Sequence, residues 1–402
     1  MTTLARLRVN LDFMPSPLPD RPGLLIRDPF GFAEGILIIP PPLVPALASF
    51  DGQQTEADLR ETLVRLSGQL EVGQLLRHLA DTLGQGGFLD DARYAERRAA
   101  KERDFAAAPR REATHAGSAY PADLEALRQL LGAQLEPRVT GVADGLIGIA
   151  VPHVSLEGGA RVYGASYSAL PAALSTRTFV VLGTSHYGAP GRFGLTRKAY
   201  VTPLGATQTA PDLVDRLATA RAAALEDYCH AVEHSIEFQV VYLQGLFGAG
   251  VRVAPVLCGP FDPTGGRPED DPEVAAFFEL LRGEVARRDD LFFVLGIDMA
   301  HVGRRYGDQE PARANEGPLL DVARRDQERI RRLAAGDADG FWDLVADNGK
   351  GDPLRWCGTA PLYTFLKGVR PSGGTLLRYE QWNIDPHSVV SFAGMTFDGG
   401  GS

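Results

Sequence analysis

Three apolar stretches of this chain each run into a histidine. "GIAVPH" ends at His153, "VVLGTSH" at His186 and "FFVLGIDMAH" at His301. Neutral imidazole coordinates iron, zinc and copper, and two histidines with one carboxylate leave positions open on Fe(II) for substrate and oxygen. A lone histidine at a strand end is more often a hydrogen-bonded structural residue than a ligand. Three at equivalent ends tilt the balance towards a shared ion. A fourth, His234, lies in "HAVEHSIEFQVVYLQGLFG", which reads as the start of an apolar helix. Glu233 precedes it, and Glu237 follows three residues later on the same helical face. His234 is also compatible with a core position, because Phe238 and Val241 share that face. Asp298, three residues before His301, fits a metal ligand, a helix cap or, best, a carboxylate that fixes a ligand's tautomer.

Other chemistries find less support. "GTSHYG" has the wrong spacing for a G-x-S-x-G nucleophile elbow. The chain has no P-loop, no G-x-G-x-x-G after a strand and no C-x-x-C. Cys258 closes "VRVAPVLC" and reads as a small buried hydrophobe. Cys357, in "RWCGTAP", precedes a helix whose dipole lowers a thiol pKa, yet it too is assigned a structural role. With Cys229 these are the only cysteines, and they make no paired framework, which suits a reducing cytoplasm.

The elements that must position these residues begin near residue 114. Strands are expected at 145–152, 178–184, 251–258 and 291–297, apolar runs that fit burial on both faces. Helices are expected at 122–132, 159–170, 211–224, 232–247 and 272–288, with Val232, Ile236, Val240, Leu243 and Phe247 as a core stripe. This is an α/β layout, a central mainly parallel sheet flanked by helices. "TLLRYEQWN" and "SVVSFAGMTF" are spaced like an antiparallel pair. Ligands of such sheets bind outside the carboxyl ends of the strands. His153, His186 and His301 all fall there.

At 402 residues the chain is long for one domain, and two are expected, at 1–105 and 106–402. In the first, "GLLIRD" and "GILIIP" read as strands around the turn "PFGFAEG". Three helical stretches follow, one capped by Thr55 with Leu59, Leu63 and Leu66 on a face, the next carrying Leu75, Leu76, Leu79 and Leu83. The pattern is winged-helix-like. "DDARYAERRAAKERDFAAAPRRE" lacks a sustained apolar stripe and reads as a solvated helical connector. Through residue 110 there are 13 Lys and Arg against 15 Asp and Glu, and the whole chain carries −10, so nucleic-acid binding is not expected. No apolar run approaches the ~20 residues of a membrane span. The first residues lack the features of a secretory signal, which makes the expected location cytoplasmic.

The series "AGSAYPAD", "VPH…GASYSAL", "LGTSHYG", "AYVTPLG", "EHSIEFQ", "APVLCG", "IDMAHVGRRYG" and "CGTAP" resembles the Memo family, whose members include those named AmmeMemoRadiSam system protein B. The resemblance spans roughly residues 115–397 and implies a fold like class III extradiol dioxygenases, which hold non-haem Fe(II) with two histidines and a carboxylate. It implies His153 and His186 as metal ligands, and His234 as third ligand or acid/base. It implies Asp298 and His301 as the closing strand-end pair, Asp298 orienting a ligand and His301 near the open position. Where animal members carry a cysteine ligand, this chain has Ala300, and His234, Asp298 and Glu233 are the candidates for the third position. The N-terminal module is similar to PqqD-like peptide-recognition domains. The expectation is a dioxygenase-like redox enzyme of unknown substrate, with Fe(II) first and copper or zinc next. Its rivals are a partner-binding protein that takes a peptide and recruits a radical-SAM enzyme, and a zinc hydrolase.

Overall fold

The computed structural model describes residues 3–135 and 145–400. The chain divides into two compact units, Met1–Ala107 and Ala108–Ser402. In the first, strands Leu24–Arg27 and Ile36–Ile39 pair antiparallel around the expected turn, Arg27 opposite Ile36. A third strand, Asp12–Pro15, lines the other side of Leu24–Arg27, and four residues ending in proline give it little signature. Thr55 caps helix Glu56–Ser67 with a full capping box to Asp58, and helix Gly73–Gly86 follows. The buried Arg8–Asp28 pair ties the unit together, since Arg8 Nη1 also donates to the Gly87 carbonyl at 2.8 Å.

The connector corrects the expectation. Helix Ala92–Ala107 buries Tyr94 and Phe105, and Arg8 lies 4.1 Å over the Tyr94 ring. Those two aromatics stand eleven residues apart, about three helical turns, so they share a face too sparse to register as a stripe.

In the second unit a ten-stranded sheet carries four parallel neighbours at its centre. Their order is Arg252–Cys258, Thr178–Thr184, Leu291–Gly296, Leu146–Val151. Thr178–Thr184 is buried at every residue, as a strand covered on both faces must be. Gly373–Asp385 and Ser388–Asp398 form the expected antiparallel hairpin, and the second of these extends the sheet beside Leu146–Val151. Among the described residues no helix is long and apolar enough to cross a membrane.

Register decides where the site falls. Gly296 lies opposite both Gly183 and Val151, so three parallel strands end on one row. His153, His186 and Asp298 each come two or three residues past that row.

Two expected helices are shorter than their patterns. The stretch 211–224 is helical only over Pro211–Leu217 and turns into strand Ala223–Leu225. The stretch 232–247 breaks into Cys229–Val232 and Glu237–Phe247, so His234 sits in the break and does not start a helix. Of the expected stripe, Ile236, Val240 and Leu243 are buried while Val232 and Phe247 are half-buried. The break presses against the sheet at two glycines. A Cβ at Gly183 would stand 2.5 Å from Ile236, and one at Gly296 would stand 2.4 Å from the Ser235 carbonyl.

Arg111 holds the break open. Its Nε donates to the His230 carbonyl at 2.8 Å and its Nη2 to the Glu233 carbonyl at 2.9 Å. Its Nη1 pairs with the Glu237 carboxylate. Glu237, expected beside His234, is instead bonded to Arg111, to the Tyr120 hydroxyl and to the His115 backbone N–H at 3.1 Å. Both members of the ion pair are essentially fully buried. Removing one partner of such a pair typically costs about 3–5 kcal/mol, because a charge is stranded without water. Arg111→Met is therefore expected to lower stability by roughly that amount in urea unfolding at neutral pH. Burial alone would push Glu237 up, but Arg111, with His115 and Tyr120, outweighs it and holds the carboxyl below its ordinary value. Its stabilisation is thus full at neutral pH and lost as pH falls through that lowered value. Acid unfolding of Glu237→Gln should lack that limb, and an unchanged acid profile would contradict the assignment.

Candidate metal centre

His153, His186 and His234 come from three separate segments and face one another. Ring centroids are 5.0 Å apart for His153 and His186, 5.2 Å for His153 and His234, and 5.1 Å for His186 and His234. Each ring is fixed by its Nδ1. That of His153 donates to the Gly296 carbonyl at 3.0 Å. Those of His186 and His234 both lie 3.0 Å from Glu233 Oε1. Glu233 also accepts the backbone N–H of His186 on Oε2 at 2.8 Å and that of His234 on Oε1 at 3.0 Å. With every Nδ1 engaged, Nε2 is the nitrogen left for a ligand, the arrangement that orients metal-binding histidines.

A thiol completes the group. Cys357 Sγ lies 3.3 Å from His153 Nε2. One donor atom each from His153, His186 and Cys357 lie within 4.8 Å of one another, and the same holds for His186, Glu233 and His234. Cys357, expected to be structural, is thus placed where a metal ligand could sit. Ala300 is buried, and a sulfur arrives instead from the turn before helix Thr359–Gly368, a source beside the expected candidates His234, Asp298 and Glu233. That turn is held against the strand ends, with Gly358 N–H on the Asp298 carbonyl at 3.0 Å and Thr184 Oγ1 on the Cys357 carbonyl at 3.3 Å.

Asp298 is buried beside His153. Its Oδ1 accepts the His153 backbone N–H at 2.9 Å, and its Oδ2 lies 3.5 Å from His153 Nε2. His301 stands apart from the cluster. Its Nδ1 donates to the Met299 carbonyl at 2.9 Å and its ring meets Tyr306 edge-on at 4.9 Å. Glu233, one of three candidates for a ligand, has both oxygens engaged by three N–H groups, with His234 Nδ1 a further 3.0 Å neighbour. Gln239 ties the segments to each other, its Nε2 donating to the Pro152 carbonyl at 2.9 Å and the Ser235 carbonyl at 3.1 Å.

Electrostatics suit a cation. Burial lowers the pKa of His153, which leaves that imidazole neutral. At His186 burial is outweighed by the Glu233 carboxylate and Cys357 together, and the pKa rises well above its ordinary value. Burial opposes ionisation of Cys357, yet His153 and His186 pull the thiol below its ordinary value. Burial raises Asp298. Two or three imidazoles with one thiolate form a donor set suited to copper, zinc or iron.

Comparisons with known proteins identify relatives over most of the chain. The family model described as Memo-like protein matches residues 111–396. A MEMO1 family protein of Aquifex aeolicus is 28% identical over 385 residues, covering 93% of this chain and 95% of its own. One of Thermococcus kodakarensis is 30% identical over 307 residues, covering 70% of this chain and 97% of its own. Among solved structures, an uncharacterized protein of Escherichia coli K12 aligns over 62% of this chain and 99% of its own, at 15% identity and a TM-score of 0.38, too low to carry an argument.

Glu233, with Cys357 beside it, is the main group raising the His186 pKa. In metal-free Glu233→Gln, NMR titration of the histidines should move His186 down towards or below its ordinary value. An unmoved His186 would mean that the carboxylate does not govern that ring.

Proposed function

Because this chain belongs to the Memo-like protein family, we propose that it is a metal-binding protein whose ion is held by His153, His186 and Cys357, with redox chemistry as its activity. The observation that carries the reading is the convergence of three imidazoles and one thiol from four segments, each imidazole's Nδ1 already engaged. A bound iron or copper ion would supply a redox centre with positions open to oxygen and substrate. The chain's own groups do the rest. Glu233 keeps His186 and His234 turned inward. Asp298, packed on the His153 backbone, fixes the first ligand. His234, with part of its side chain exposed, holds or passes a proton at Nε2.

A protein that binds a peptide or a radical-SAM partner without turnover was the strongest rival while the third ligand was missing. The position of Cys357 beside His153 and His186 supports the metal reading over that rival. Zinc hydrolysis with the same residues is distinguished by its indifference to oxygen.

Metal affinity should rise with pH. Ligation needs the thiolate and neutral imidazoles, and the proton that Glu233 favours on His186 must leave as the ion enters. Elemental analysis of protein purified without chelators should find stoichiometric iron or copper. The ion should be lost in the His153→Ala/His186→Ala double variant and strongly reduced in Cys357→Ser. The iron-loaded protein should consume oxygen with a reductant and the zinc-loaded protein should not. Wild-type protein that neither carries nor takes up metal would defeat the reading.

A further inference from the structure

We propose that Asp326, on helix Pro318–Ala334, is a positioning residue that sets the Cys357 thiol through Trp356 and Ser391. The inference rests on the reading of Cys357 as a ligand, but its own geometry is independent of any ion. Asp326 is fully buried and accepts three neutral donors: Trp356 Nε1 at 2.7 Å, Tyr379 Oη at 2.8 Å and Ser391 Oγ at 2.6 Å. Trp356 is the residue before Cys357. Ser391 Oγ in turn accepts the Ala300 backbone N–H at 2.9 Å, two residues after Asp298. One carboxylate therefore clamps both walls between which the thiol sits.

The chemistry explains why an acid is buried there. A carboxylate only accepts, so it serves three donors at once, and an indole N–H cannot reverse its role. Without the acceptor, Trp356 would bury an unsatisfied donor, and the turn carrying Cys357 would gain freedom to move. Hydroxyls, unlike the indole, can rotate to accept. Asparagine at 326 could therefore keep Trp356 with its oxygen while its amide donates to a hydroxyl. Leucine could keep neither.

The test compares wild type with Asp326→Leu and Asp326→Asn in the full chain, folding being checked by circular dichroism. Without metal, the rate of Cys357 alkylation by iodoacetamide, read by mass spectrometry, should rise several-fold in Asp326→Leu and return to the wild-type rate in Asp326→Asn. With cobalt(II) as probe, Asp326→Leu should lose about tenfold in affinity, the usual effect of removing an outer partner. Its thiolate-to-cobalt absorption should weaken, with recovery in Asp326→Asn. If Asp326→Leu does not fold, Trp356→Phe removes the indole donor alone and the same readouts decide. A folded variant with the wild-type alkylation rate overturns the proposal. If alkylation responds but wild type gives no thiolate-to-cobalt absorption, the positioning role stands and the metal reading is what fails.

Discussion

A carboxylate with no access to water governs this site. Glu233 is fully buried, and such a charge is tolerated only when its lone pairs are taken up by donors. It finds three hydrogen bonds, from the backbone N–H groups of His186 and His234 and from His186 Nδ1, and His234 Nδ1 lies 3.0 Å away. Two rings are thereby fixed in tautomer and direction by the same group. Nearby features serve to bring Glu233 there. Arg111 takes the carbonyls that the broken helix leaves free, and Gly183 and Gly296 let the break approach the sheet.

Around that anion the remaining pieces arrive by register. Three parallel strands end on one row, which brings the His153 and Asp298 segments beside His186. The thiol is the piece that no strand delivers. Cys357 is held from behind, by Asp326 through Trp356 and by Asp352, which accepts the Trp356 backbone N–H at 2.8 Å. The histidine side is thus organised by a buried anion near the sheet. The sulfur side is organised by a second buried anion on a helix, and neither anion is itself a ligand of the proposed ion.

The parallel strands are legible in the sequence because burial on both faces leaves continuous apolar runs, and a histidine at the end of such a run stands out. The hairpin near the carboxyl end is legible from two long alternating segments. What the chain hides is set by tertiary contacts. The helix break at 233–236 is invisible because Val232, Ile236, Val240 and Leu243 keep helical spacing across it, while the cause lies more than a hundred residues away at Arg111. Glu237 looks like a neighbour of His234 by spacing, yet the break turns it to Arg111 and Tyr120. Cys357 is the main omission. Its signal is the turn "WCG" ahead of a helix, a place where thiols are activated, but a lone cysteine in such a turn does not reveal the histidines that fold beside it.

X-ray absorption of the metal-loaded protein measures the coordination directly. With zinc as the ion, the expected spectrum has one sulfur neighbour at about 2.3 Å and imidazole nitrogens at about 2.0–2.1 Å. The sulfur should vanish in Cys357→Ser. A shell of nitrogen and oxygen alone in the wild-type protein would contradict a centre that joins these histidines to Cys357.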